Sequence, residues 1–205
     1  MRDVEKLGRQ DVCAPGAWRV FVAIELPAEV RHRVAQHIQL LREQVPDTRA
    51  SWNREQNLHL TLKFLGDIPV TRVEAASRAV EQAAKGVDSF ALTIEGSGSF
   101  PPHGTPRVLW LGIQGAANES SALFDVLEEE FVNQGFPREH RPFHPHLTIA
   151  RLRKPHGARR LAELHKQIGF ERMAFQVKDV CVIRSELSPE GSRYTVIARH
   201  ALLTT

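Results

Sequence analysis

The sequence predicts an α+β protein built as two lobes related by a pseudo-two-fold axis, and three observations predict it. A strand-like phrase occurs twice, as Leu-His-Leu-Thr-Leu-Lys-Phe-Leu at 58–65 and as Pro-His-Leu-Thr-Ile-Ala-Arg-Leu at 145–152. The tetrapeptide His-Leu-Thr-[Leu/Ile] inside each copy, at 59–62 and 146–149, is expected on the order of 0.01 times in a shuffled chain of this composition. Chance does not supply two. The order of elements around each copy is also the same: strand, helix, His-Thr strand, helix, strand. Finally, the spacing matches, with 41 residues from Trp18 to His59 and 38 from Val108 to His146. Duplication, with repeats over 18–96 and 106–203 of a single domain at 17–205, is the economical explanation.

Each element follows from its local pattern. Residues 1–16 are polar and aperiodic and carry Pro15 and Gly16, which predicts a flexible N-terminal tail. From Trp18 to Leu26, Val20, Val22, Ile24 and Leu26 share one parity, as in a half-buried strand. Val30, Val34, Ile38, Leu41 and Val45 then recur at helical spacing until Pro46. Residues 51–56 read as a polar connection. In the first phrase Leu58, Leu60, Leu62 and Phe64 take one parity and His59, Thr61 and Lys63 the other, so the leucines are expected inside and the His-Thr pair outside. Val73, Ala76, Val80 and Ala83 mark a second helix closed by Gly86, and a short strand runs from Phe90 to Glu95. Gly96 to Pro106 carries the strongest loop signal in the chain.

The second repeat opens with a strand at 108–113. A helix marked by Leu123, Leu127 and Phe131 ends at Gly135, and the second phrase reads as a strand from Phe143 to Leu152. Leu161, Leu164 and Ile168 mark a last helix with Gly169 at its end. Phe175–Ile183 and Tyr194–Leu202 read as two strands joined by a Ser188-Pro189-Glu190-Gly191 turn.

Bulk properties narrow the class. The composition, 42% hydrophobic and 25% charged in 205 residues, is that of a soluble globule. No apolar run approaches the roughly 20 residues that span a bilayer, and the N-terminus lacks a signal-peptide core. Two cysteines, Cys13 and Cys181, make no disulfide framework, so a reducing cytoplasm is the expected compartment. The net charge of +3, with 21 arginines among 27 basic residues, permits an anionic partner without requiring one.

The chemistry lies in the two phrases. His146 and Thr148 share a parity opposite to Leu147 and Ile149, repeating the first phrase. If the two His-Thr faces oppose one another across a cleft, they offer an acid and a base that titrate near neutrality. Two hydroxyls stand beside them as donors to non-bridging oxygens. That set suits in-line displacement at phosphorus: one His deprotonates the nucleophile and the other protonates the leaving oxygen. Hydroxyls and an arginine can carry the phosphate charge, so no metal is required. A lone strand His is more often packed than catalytic, and the pairing is what raises these two. His140, His144 and His146 form a cluster that also admits a metal site, but neither a nearby Cys nor an equivalent cluster at the first phrase supports it.

On these residues the chain resembles the two-histidine phosphoesterases, and within them the RNA 2′,3′-cyclic phosphodiesterases historically called 2′-5′ RNA ligases. The resemblance runs from about Val20 to Leu202 and includes Phe-Val-Ala-Ile-Glu-Leu-Pro at 21–27, His-Leu-Thr-Leu-Lys-Phe-Leu-Gly at 59–66, Arg-Val-Leu-Trp-Leu-Gly at 107–112 and Phe-His-Pro-His-Leu-Thr-Ile-Ala-Arg at 143–151. It implies a bilobal α+β fold of two antiparallel sheets facing a central cleft, with helices on the outer faces. It further implies cofactor-free, metal-independent hydrolysis of RNA 2′,3′-cyclic phosphate ends to 2′-phosphomonoesters, with reversible 2′-5′ ligation as a variant. By the same resemblance His59 would be the general acid and His146 the general base, with Thr61, Thr148 and Arg151 on the phosphate. Strict alternation puts Arg151 on the wrong face, so its role needs a bulge. An aromatic that stacks on the base is expected among Phe64, Phe100, Trp110 and Phe143. The partners implied are RNA or oligonucleotide ends or small cyclic nucleotides, acted on by a monomer that is not membrane-bound. A non-catalytic nucleotide-binding module of the same fold is the alternative, and the intact motifs disfavour it.

Overall fold

The computed structural model describes residues 16–115, 117–188 and 191–204. The predicted tail at 1–16 lies outside them except for Gly16, whose carbonyl accepts a hydrogen bond from the Val70 N–H at 2.9 Å. The chain runs β1 (Ala17–Glu25), α1 (Ala28–Gln44), β2 (Ala50–Trp52), β3 (His59–Pro69), α2 (Val73–Ala84), β4 (Phe90–Phe100), β5 (Val108–Gln114), α3 (Ala117–Asn133), β6 (His146–Leu152), α4 (Ala158–Ile168), β7 (Met173–Val177), β8 (Asp179–Ser188) and β9 (Gly191–Ala201). These strands form two sheets, β3-β1-β8-β9 and β2-β6-β5-β4-β7, and every pairing within them is antiparallel. The middle of the turn expected between β8 and β9, residues 189 and 190, lies outside the described residues, but the two strands pair from Asp179 with Ala201 to Ser188 with Gly191. Among the described residues no helix is long and apolar enough to cross a membrane.

The sheets do not follow the sequence halves. The end of the first repeat, β4, pairs with β5 of the second, while the end of the second, β8–β9, pairs with β1 of the first. The long strand expected over 175–183 is therefore two strands, with β7 in one sheet and β8 in the other and a crossover at Lys178. Helix α2 packs on β8 and β9 and against α3; α4 packs on β4 and against α1. One continuous core joins these layers, including Val20, Val22 and Ile24 of β1, Val34 and Leu41 of α1, Leu60 of β3, Leu111 of β5, Leu127 of α3, Leu147 of β6 and Val182 of β8. Burial of this area, at roughly 25 cal/mol per Å² of apolar surface, is the main favourable term.

Strand β1 departs from the half-buried pattern. Val20 and Val22 face the main core, but Phe21 and Ala23 on the other parity are also buried, in a second cluster with Cys181 and Ile183 against which Tyr194 packs. That second cluster makes the first sheet's other face partly apolar.

The predicted loop at 96–106 is half strand. β4 continues through Gly96-Ser97-Gly98-Ser99 to Phe100 after a register shift between Ile94 and Ser97, and pairs with Val108 to Leu111. Gly98 lies directly against the Trp110 indole, where an added Cβ would overlap the ring, and Gly96 holds φ +80° at the irregularity. Of the glycines that read as loop, Gly98 makes room for a large neighbour in a strand and Gly96 supplies the left-handed backbone at the register shift. In the opposite sense, residues 143–145 of the expected long strand lie outside β6.

Candidate active site

Both phrases sit on strands whose sheets meet: β3 is an edge of the first sheet, and it comes within 8 Å of β6, between Cα atoms, in the second. Their registers carry the same irregularity. Ala23 pairs with Thr61 and Val22 with Lys63, so Leu62 is an extra residue; Trp110 pairs with Thr148 and Leu109 with Ala150, so Ile149 is one. The fourth residue of each tetrapeptide is thus a bulge, which reverses side-chain parity beyond it. Up to the bulge, His59, Thr61, His146 and Thr148 are half-buried on one face, with Leu60 and Leu147 buried on the other.

Beyond the bulge the expected pattern inverts. Lys63, expected beside His59 and Thr61, is 6% exposed, while Phe64, expected beside the leucines, is 65% exposed. Lys63 donates to Glu128 Oε1 at 2.5 Å and to the Pro137 carbonyl at 3.1 Å. The second Glu128 oxygen accepts the Glu139 N–H at 2.8 Å, so this buried pair ties β3 to α3 and the segment after it. In β6 the equivalent inward residue is Ala150, and Arg151 becomes the exposed residue on the side of His146 and Thr148. The bulge that Arg151 requires is there.

The two imidazoles are held alike. His59 Nδ1 lies 2.8 Å from the Asn57 carbonyl and His146 Nδ1 lies 2.6 Å from the His144 carbonyl, in each case two residues upstream. A carbonyl only accepts, so Nδ1–H is the donor in both rings and Nε2 is the nitrogen each presents. The surroundings differ. The His59 ring lies 4.8 Å from Phe21 and 5.3 Å from Tyr194, between centroids, whereas His146 meets Phe100 edge-on at 5.2 Å. Burial against these rings lowers the His59 pKa to about 4, opposed by the Asn57 carbonyl and the Glu25 carboxylate. The charged form of His59 is therefore disfavoured by about 3 kcal/mol relative to free imidazole, at 1.36 kcal/mol per pH unit.

The four candidate stacking aromatics separate. Phe64 is exposed, with its ring 6.0 Å from Phe21 on the His59 side. Phe100 and Trp110 lie together at 5.4 Å beside His146. Phe143 stacks on Phe124 at 4.5 Å, packed against α3. Among the described residues no three His, Cys, Asp or Glu side chains converge to hold a metal, and His144 contributes its carbonyl to His146. Cys181, buried in the first sheet's second cluster, has its thiol pushed up to about 12, mainly by desolvation, which leaves it protonated and unreactive. Beyond it, Arg199 bridges Glu25 and Asp179, donating to the latter at 2.7 Å.

Two supporting residues escaped the sequence reading. Asn53 donates from Nδ2 to the Thr148 carbonyl at 2.6 Å and from its backbone N–H to the Ile149 carbonyl at 2.9 Å. Asn57, buried, donates to the Ser192 carbonyl at 2.8 Å while its own carbonyl holds His59. The segment that read as a polar connection, together with Asn57 just after it, thus braces both motifs. Each of these hydrogen bonds is accepted by a backbone carbonyl, and a carbonyl leaves no mark on residue type.

Comparison with known proteins identifies the family. A family model described as the 2′-5′ RNA ligase superfamily matches residues 26–189, four-fifths of the chain and both motifs. The chain belongs to the 2′-5′ RNA ligase superfamily. Among its relatives in that superfamily is the RNA 2′,3′-cyclic phosphodiesterase of Methanothermobacter thermautotrophicus, 34% identical over 86% of this chain and 95% of that protein. The Escherichia coli RNA 2′,3′-cyclic phosphodiesterase is 29% identical over 90% and 96%. Escherichia coli LigT, solved in complex with 3′-AMP, superposes with a TM-score of 0.70 at 26% identity, covering 91% of this chain and 98% of LigT. A Thermus thermophilus structure gives 0.73 at 27% identity, covering 90% and 97%. The superfamily match ends before β9, so Tyr194 and Arg199 stand in a part of the site that the match does not reach.

Proposed function

We propose that the protein opens 2′,3′-cyclic phosphate ends of RNA to 2′-phosphomonoesters with two histidines. The observation that carries this reading is the matched pair of motifs: each presents Nε2 beside a threonine, and each has a bulge after the threonine. Water attacks phosphorus while His146 Nε2 accepts its proton; the P–O3′ bond breaks, and His59 Nε2–H protonates the departing O3′. His59 keeps its Nδ1–H on the Asn57 carbonyl throughout, and that carbonyl stabilises the imidazolium form that the acid needs. Thr61, Thr148 and Arg151 bind the non-bridging oxygens.

The lowered proton affinity of His59 refines the acid role. A free enzyme holding this ring neutral loads its proton when the anionic phosphodiester enters and favours the imidazolium. The curated names of the relatives support the substrate, and both motifs intact in this chain support turnover rather than binding alone. The same geometry accepts a ribose 5′-hydroxyl in place of water, which would form a 2′-5′ linkage with O3′ still leaving. Incubating an RNA with a 2′,3′-cyclic phosphate end, with and without a 5′-hydroxyl partner strand, tests both outcomes. A 2′-phosphate product is expected; a 3′-phosphate product would overturn the assignment of O3′ as leaving group.

A further inference from the structure

Downstream of Arg151 the chain becomes densely cationic. Residues 142–162 contain no Asp or Glu, and Arg153, Lys154, Arg159 and Arg160 in that stretch are all exposed. Strand pairing adds two more cations at the same end of the second sheet. The Leu152 N–H donates to the Arg107 carbonyl at 2.8 Å, which places Arg107 beside the end of β6. Ala50 pairs with Leu152, which places Arg49 there too, with the exposed Asp47 two residues before it. None of these six cations forms an ion pair among the described residues, in a protein whose other arginines often do.

Local stability does not account for this charge. Arg159 and Arg160 occupy the first turn of α4; no acidic residue stands in that turn, and the helix dipole disfavours cations there. Clustered like charges at a strand end also repel. An anionic partner would relieve both. The strip is continuous with the site through Arg151 and begins about 20 Å along β6 from His146, at roughly 3.3 Å per residue. That is too far for a cyclic mononucleotide held between the motifs and within reach of a strand several nucleotides long.

We propose that this strip binds the backbone phosphates of single-stranded RNA upstream of the reacting end, which makes a polynucleotide, rather than a cyclic mononucleotide, the favoured substrate. The inference rests on the cyclic phosphodiesterase reading above. The strip supplies affinity and not chemistry, and a single strand loses about 0.7 in the slope of log affinity against log salt for each phosphate contact removed.

The test replaces Arg153, Lys154, Arg159 and Arg160 together by Gln, sparing Arg151 and the motifs, and compares 2′,3′-cyclic AMP with a short RNA carrying a 2′,3′-cyclic phosphate end. The variant is expected to open cyclic AMP within about twofold of wild type. Its kcat/KM for the oligonucleotide should fall roughly tenfold or more at low salt, through KM, with a salt slope shallower by about 2–3. Removing cations from a helix N-terminus should leave the melting temperature unchanged or raised. Equal kcat/KM and an equal salt slope for the oligonucleotide in variant and wild type would overturn the strip while leaving the catalytic reading intact. So would an equal loss on both substrates. Failure of wild type to open either substrate would instead overturn the catalytic reading itself.

Discussion

Filling the cleft with a product 2′-nucleotide should raise the proton affinity of His59 by orders of magnitude. In the free protein, burial against Phe21 and Tyr194 lowers its pKa to about 4, so only about one molecule in a thousand carries the acid proton at pH 7. A phosphate anion about 4 Å from the imidazolium contributes on the order of 4 kcal/mol at an effective dielectric constant of 20. At 1.36 kcal/mol per pH unit that is about three units, enough to bring His59 to near neutrality. The assay is an NMR titration of the histidine side chains with and without 2′-AMP, with His59 assigned by substitution. An upward shift of about two units or more is expected. A His59 that titrates at the same pH in both states would refute the claim that substrate charge loads the acid, and with it the acid role as argued.

Two further predictions concern the scaffold. Lys63→Ala should destabilise the protein by about 3–5 kcal/mol, because it strands the Glu128 carboxylate in a buried site. The double variant Lys63→Met with Glu128→Leu should recover most of that loss in urea unfolding, and no recovery would contradict the pairing. His37 and His165, buried between α1 and α4, share a hydrogen bond at 3.1 Å, and His165 Nε2–H donates to the Trp110 carbonyl at 2.9 Å. His165 Nδ1 is then the acceptor and His37 Nε2–H the donor, which requires His165 to be neutral. Burial, with the His165 charge, lowers the His37 pKa to about 4. The unfolded chain therefore binds the proton first, so this contribution is full above about pH 6.5 and is lost as pH falls towards 4, by about 2 kcal/mol at pH 5. Unfolding midpoints at pH 7 and 5 should converge between wild type and His37→Gln; parallel pH dependence would contradict it.

The sequence made the site legible because parity carries through a strand until something interrupts it. His59, Thr61, His146 and Thr148 precede the bulges, and their common face followed from alternation alone. Lys63 and Phe64 follow the first bulge, and alternation placed both on the wrong face. The need for a bulge at Arg151 was readable, but the matching one at Leu62 was not, because an extra residue in a ladder is set by the partner strand's register. The exchange of β4 and β8–β9 between sheets was illegible for the same reason: a strand's pattern states which residues are buried, not which sheet buries them. Gly96 to Ser99 misled in the opposite direction, since the indole of Trp110 explains Gly98 and the left-handed φ at the register shift explains Gly96.

The central claim is that two histidines on different sheets divide one reaction between them. It is tested most directly by the rate at which His59→Ala and His146→Ala, each shown to be folded, open a 2′,3′-cyclic phosphate relative to wild type. Each single change is predicted to lower that rate by about 10²–10⁴-fold, the usual contribution of one acid or base. Full activity in either variant would contradict it.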